Sequence, residues 1–225
     1  MIPYFPQPVW RVGPFEMHAF GAAVALALLC GYGLVLRRAR RYGIDPTHAG
    51  TYFVVILLAG LALGWIVGRG SNSISGTGFA AGGGAALVVC AWVRRSWNLL
   101  DLIGGAVPLM NVFARIGCFL AHDHIGRPTA SWLGVRFPHG TRFDLGLLYA
   151  LSAAGVALVV EWISRRRDTG SGVTFGVMVA LMAITRLIVL RFGDTISLTD
   201  EVFAGLMFVG GCQIVVSRWM ATTKP

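Results

Sequence analysis

The chain has 225 residues, of which 56% are hydrophobic and only 13% charged, and its mean hydropathy is +0.69. A soluble domain carries about 25% charged residues, so a large water-facing fold is excluded and a bilayer is the expected solvent. The net charge of +9 comes from arginines lying mostly between apolar segments; that placement suits topology signals and lipid headgroups, and the aromatic-basic interleaving of single-strand nucleic-acid binders is missing.

The opening MIPYFPQPVW lacks the basic region of a signal peptide, so the first apolar run reads as a retained span. Seven apolar segments follow, at about 17–36, 52–67, 79–93, 102–120, 145–163, 173–190 and 202–216. Several are near the lower limit of about 17 residues for crossing hydrocarbon. Lipid offers backbone groups no partner, so each span must be helical. The expectation is an all-α integral membrane protein of about seven transmembrane helices, one polytopic domain over residues 1–225. Within segment four, Gly104, Gly105 and Pro108 permit close packing or a kink. Cys30, Cys90, Cys118 and Cys212 each fall in an apolar segment without CxxC spacing, so neither a disulfide framework nor a zinc site is expected. No cofactor motif is visible.

Orientation follows from basic asymmetry. Eleven basic residues follow segments one, three, five and seven, against six before segment one and after segments two, four and six. The positive-inside rule then predicts an external N-terminus and a cytoplasmic C-terminus. Tyr4, Phe5, Trp10 and Trp132 suit an outer interfacial belt.

Two arginines, Arg115 and Arg186, lie inside apolar segments. A charge at membrane depth is costly and marks a functional site by default. Under the expected topology both sit in the outer half of the bilayer, with Asn111, Cys118, His18, Phe20 and the run SISGTGFAAGGG (residues 73–84) at similar depth. Guanidinium grips phosphate oxygens bidentately, so the pair suits an anionic phospholipid and a departing phosphate. The competing structural reading is an arginine bound to backbone carbonyls or snorkelling to the surface. The glycine run allows close approach by lipid, or equally by a neighbouring helix. Adjacent histidines are poor metal spacing, so His122, Asp123 and His124 read as solvated interfacial residues and no metal is expected. Cys118 reads as a small apolar residue. Arg142 and Asp144 read as an interfacial ion pair.

The stretch ARIGCFLAHDHIGRPT (residues 114–129) resembles the signature of prolipoprotein diacylglyceryl transferases, approximately GRIGNFINGE-x-x-GRPT. Residues 11–45 resemble that family's first span and basic loop, and the glycine-rich segment three and ITRLIVLRFGD (residues 184–194) fall in matching places. The resemblance implies transfer of a diacylglyceryl group from phosphatidylglycerol to the lipobox cysteine of a prolipoprotein, with release of glycerol 1-phosphate. The implied place is the outer face of a bacterial inner (plasma) membrane. It implies Arg115, Arg186 and Asp123 as catalytic residues. Arg127, Gly126, Thr77, Gly78 and His18 would bind substrate.

The chain also departs from the pattern. Cys118 stands at the family's asparagine, Asp123 at its glutamate, Phe20 at a tyrosine of the first span, and Leu190 at the glutamate following the span-six arginine. The histidine opening the segment-three motif is missing, with Thr77-Gly78 the best match, and the HPTQLYE motif is barely visible in RFDLGLLYA (residues 142–150). The phosphate-gripping half is kept and the acid-base half thinned. The alternative is therefore a non-catalytic, phospholipid-binding accessory paralogue. A transporter would need a polar path through the bilayer, and a retinal receptor a lysine in span seven, whereas the only lysine is Lys224.

Overall fold

The computed structural model describes residues 1–71, 74–166, 170–194 and 197–222; Ser73, Arg167 and Lys224 lie outside them. Among the described residues seven helical segments are long and apolar enough to cross a membrane. They are α1 (Ala19–Ala39, extended by a 3-10 turn to Tyr42), α2 (Pro46–Gly68), α3 (Gly76–Val93), α4 (Asn98–Gly104) with α5 (Val107–Ala121), α6 (Leu145–Arg166), α7 (Val173–Leu190) and α8 (Leu198–Thr222). The chain is a multi-pass membrane protein. Large apolar side chains stand outward, Trp92 at 78% and Leu158 at 74% exposure, as expected where the solvent is lipid.

The fourth span is the interrupted one. Pro108 has no N–H, and its ring conflicts with the carbonyl four residues back, Gly104, so the helix stops there and restarts at Val107. The span also begins at Asn98, earlier than hydropathy places it, because Asp101 interrupts the apolar run.

Contacts group the chain into two units. The first comprises residues 1–31, 107–159 and 180–208. It holds short strands in addition to helices, in segments between the apolar runs. Strands β2 (Val9–Val12) and β3 (Phe15–His18) form a hairpin whose turn has Gly13 at φ 61°, and Arg11 pairs with Glu16 across it at 2.9 Å. A four-stranded sheet is ordered β1-β5-β6-β4, from β1 (Ile2–Pro3), β5 (Val135–Phe137), β6 (Gly140–Asp144) and β4 (Ile125–Pro128). Since β1 pairs with β5, the N-terminus and the α5–α6 connection share one side of the membrane, as four intervening crossings require. The start of α6 packs tightly on the end of α5: a side chain at Gly146 would meet the Phe119 backbone nitrogen at 2.5 Å.

The second unit comprises residues 32–106, 160–179 and 209–225. Asp45 caps α2 by accepting from Thr47 N at 2.8 Å, with Pro46 in the first turn. Those backbone hydrogen bonds hold the Asp45 carboxyl below the usual range. Helices α2 and α3 approach through glycine: a Cβ on Gly78 would lie 2.9 Å from the Leu63 carbonyl oxygen. The buried Asp101 of α4 accepts from Gly172 N at 2.8 Å and Phe175 N at 3.0 Å, capping α7 from outside that helix. Arg38 and Arg165 share Glu161. Arg41 donates to the Ser164 carbonyl at 2.9 Å. Arg218 donates to the Ser171 carbonyl at 2.8 Å while its guanidinium lies over Trp97.

Candidate functional site

The polar residues of the first unit gather where α5 ends and α8 begins. Arg115 and Cys118 are three residues apart on α5 and so share a face. Arg115 lies 4.5 Å over the ring of Tyr149, in the second turn of α6, a cation–π contact that orients the guanidinium without neutralising it. Arg186, in the last turns of α7, donates to Asp200 Oδ1 at 2.7 Å; Asp200 is in the first turn of α8. Arg186 and Asp200 keep 22% and 27% side-chain exposure, so the pair is sheltered but not sealed. Arg115, Arg186 and Asp200 all act electrostatically on Tyr149. Among the described residues Arg115 forms no ion pair. Two guanidiniums and one carboxylate act on this tyrosine, and guanidinium suits the oxygens of a phosphodiester.

Asp200 carries no sequence signal, and Tyr149 falls within RFDLGLLYA, the faint match to the HPTQLYE motif, without being singled out. A buried tyrosine reads as core, and an acidic residue in a first helical turn reads as a dipole cap. Leu190 offers no carboxylate, and Arg186 meets Asp200 of the next helix.

Asp123 does not pair with an arginine. Its Oδ1 is 2.6 Å from His124 Nδ1, both side chains being exposed, and it also interacts with the Cys118 thiol, as does Arg115. His122 corrects the expectation of a solvated residue. Its side chain is 6% exposed, with Nδ1 2.7 Å from Asp144 Oδ2 and Nε2 3.1 Å from the Phe5 carbonyl, inside a cage of Tyr4, Phe5, Phe119 and Phe137. It has φ 52° where the family signature carries glycine, the residue that reaches that region without strain. Both ring nitrogens are engaged, so His122 is a structural pin and not a free base. Burial raises the Asp144 carboxyl above its usual range, against the hydrogen bonds from His122 and Leu147 N.

The expected Arg142–Asp144 pair does not form either. Asp144 is taken by His122, while Arg142 pairs with Asp194 and donates from Nε to the Gly126 carbonyl at 2.8 Å. Gly126 is buried, and a Cβ there would run into the Phe192 carbonyl. Arg127 donates its backbone N–H to that carbonyl at 2.9 Å, and its guanidinium lies 5.3 Å over the Phe192 ring. His18 is exposed at the end of β3. Thr77 and Gly78 belong to the second unit, where Gly78 lies in the α2–α3 seam and donates to the capping Ser75 Oγ at 3.2 Å.

The family model described as prolipoprotein diacylglyceryl transferase matches residues 7–220. The chain belongs to the prolipoprotein diacylglyceryl transferase family. It is 28% identical over 203 residues, 77% of this chain and 80% of the relative, to a phosphatidylglycerol–prolipoprotein diacylglyceryl transferase of Clostridium tetani. Against the enzyme of the same name from Symbiobacterium thermophilum it is 24% identical over 219 residues, 82% and 80% of the two chains. A shorter match of 89 residues, 38% of this chain and 32% of the relative, reaches 38% identity with the Wolinella succinogenes enzyme. The family match covers all seven spans and the site residues Arg115, Tyr149, Arg186 and Asp200.

Proposed function

We propose that the protein transfers a diacylglyceryl group from phosphatidylglycerol to the cysteine thiol of a prolipoprotein, in the plasma membrane of a bacterium, with the site in the outer leaflet. The single observation that carries this reading is the arrangement of charge around Tyr149. Among the described residues Arg115 is held by a ring face and by no carboxylate, in the same cluster as the Arg186–Asp200 pair.

A phosphodiester has one negative charge and becomes a dianion as it leaves. Guanidinium groups fixed before reaction stabilise that growing charge most, in a site from which water is largely excluded. The thiolate attacks the glyceryl carbon, the carbon–oxygen bond breaks, and glycerol phosphate departs with the electron pair. Arg115 and Arg186 hold the phosphate oxygens. Asp200 positions Arg186, and Tyr149 positions Arg115. Asp123 acts on the acceptor side, next to Cys118. Arg127 and Gly126 shape the adjoining loop, and His18 and the hairpin meet the headgroup region.

The test is purified protein in phosphatidylglycerol nanodiscs with a synthetic lipobox peptide, read by mass spectrometry. The expected result is a diacylglyceryl thioether on the peptide cysteine, with glycerol phosphate released in equal amount and no product from a Cys→Ser peptide. Phosphatidylglycerol retained without thioether would replace this reading with that of a lipid-binding paralogue.

A further inference from the structure

Two positions at which the chain departs from its family signature lie together in space. Cys118 replaces an asparagine and Asp123 a glutamate, and with His124 they bring three ligand atoms, Sγ, a carboxylate oxygen and a ring nitrogen, all within 4.8 Å of one another. Adjacent histidines are poorly spaced for a metal, but this set needs only His124 and adds a thiol from the preceding helix. Bonds of roughly 2.0–2.3 Å to a central ion can close such a set with small side-chain shifts.

The cluster is also held in place. The Cys118 backbone belongs to α5, against which α6 packs at Gly146. The loop that follows is pinned by His122 to Asp144 and to the Phe5 carbonyl. The His124 carbonyl accepts from Leu145 N at 2.9 Å, so its ring sits on a fixed backbone. Cys118 is buried while Asp123 and His124 are exposed, so one side remains open to a fourth ligand.

We propose that Cys118, Asp123 and His124 bind a zinc-class divalent cation whose open position takes the acceptor thiol. Mixed sulfur, nitrogen and oxygen donors select a borderline-soft ion, and three protein ligands with one vacancy is the catalytic pattern for zinc. A thiol that coordinates such an ion is deprotonated outright. This answers the thinned acid-base half of the family pattern. The acceptor R–SH binds as thiolate and its proton passes to water. The sulfur pair attacks the glyceryl carbon, and the carbon–oxygen bond breaks toward the phosphate held at Arg115, the neighbour of Cys118. The neutral thioether is a weaker ligand than the thiolate and leaves. Charge closes too: the ion with the Cys118 thiolate and the Asp123 carboxylate is neutral, and the incoming thiolate adds one negative charge next to the Arg115 guanidinium. The acceptor role rests on the transferase reading; the metal site does not.

The experiment loads the full-length protein in nanodiscs with zinc, and separately with cobalt, and removes free metal. Elemental analysis is expected to find about one zinc per chain, and cobalt to give a near-ultraviolet thiolate-to-metal band. Cys118→Ser abolishes that band. His124→Ala, at an exposed position, weakens zinc binding by roughly a hundred-fold, since even outer partners of a metal are worth 10–100-fold. Protein that holds neither metal, or a cobalt band that survives Cys118→Ser, overturns the site. If zinc binds as expected and no thioether forms with or without it, the metal site stands and the transferase reading fails. If thioether forms equally in chelator-stripped protein, the transferase reading stands and the proposed role of the metal fails.

Discussion

Arginine does different work in the two units of this molecule. In the second unit Arg38 and Arg165 converge on one glutamate, and Arg41 and Arg218 close on backbone carbonyls at helix ends. Each guanidinium there satisfies a group that the fold itself exposes, as a structural arginine near a membrane surface does. In the first unit Arg115 rests on Tyr149, and Arg186 shares its charge with Asp200. The difference lies not in residue type but in the partner: Arg115 meets a ring face and, among the described residues, no carboxylate, within a partly sheltered cluster. A guanidinium held in that way points to a ligand of opposite sign.

Substitutions can sharpen that contrast, beginning with the largest effect. Arg115→Ala should lower diacylglyceryl transfer by about 10²–10³-fold, the usual loss when one preorganised charge-stabilising donor is removed, while the thermal midpoint changes little. The corresponding break in the second unit is Asp101→Ala, which leaves Gly172 N and Phe175 N without a partner. It should cost about 2 kcal/mol of stability, read as a midpoint lower by several degrees, with transfer per folded molecule unaffected. An equal loss of rate in Asp101→Ala would erase the functional distinction between the units.

The boundary between legible and illegible features follows physical scale. Hydropathy summed over about 20 residues reports seven spans because the signal accumulates along each helix. The strands Ile2–Pro3 and Val135–Phe137 have two and three residues, too few for an alternation to register. Arg115 and Arg186 stand out because charge inside an apolar run is rare. Asp200 does not, since its meaning comes from a helix distant in sequence, and Tyr149 is signalled only through the faint HPTQLYE match. His122 departs from its sequence expectation for the same reason as Asp200: nothing local announces that Asp144 and the Phe5 carbonyl will meet its two ring nitrogens.

Smaller effects test the finer parts of the comparison. Asp200→Asn keeps the hydrogen bond to Arg186 but removes its charge, and should reduce transfer by roughly tenfold, about 1.4 kcal/mol, through poorer positioning. Salt should restore nothing, because the pair is sheltered. Asp45→Ala in the second unit removes an exposed cap and should lower the midpoint least of all. The folded Asp45 carboxyl is depressed by its hydrogen bonds to backbone N–H groups. Its contribution is therefore present above the ordinary carboxylate range and fades as the pH falls through the depressed value. A pH titration comparing wild type with Asp45→Ala should show the two midpoints converging in acid.

The most direct measurement is the thioether yield of Arg115→Lys against wild type in phosphatidylglycerol nanodiscs, with both proteins confirmed folded by their melting curves. Lysine keeps the positive charge but not the planar fork that grips two phosphate oxygens or the stacking on Tyr149. A fall in yield close to that of Arg115→Ala is predicted. Wild-type yield from Arg115→Lys would contradict the account, because the site would then need only a positive charge at this position and not a guanidinium held ready for phosphate.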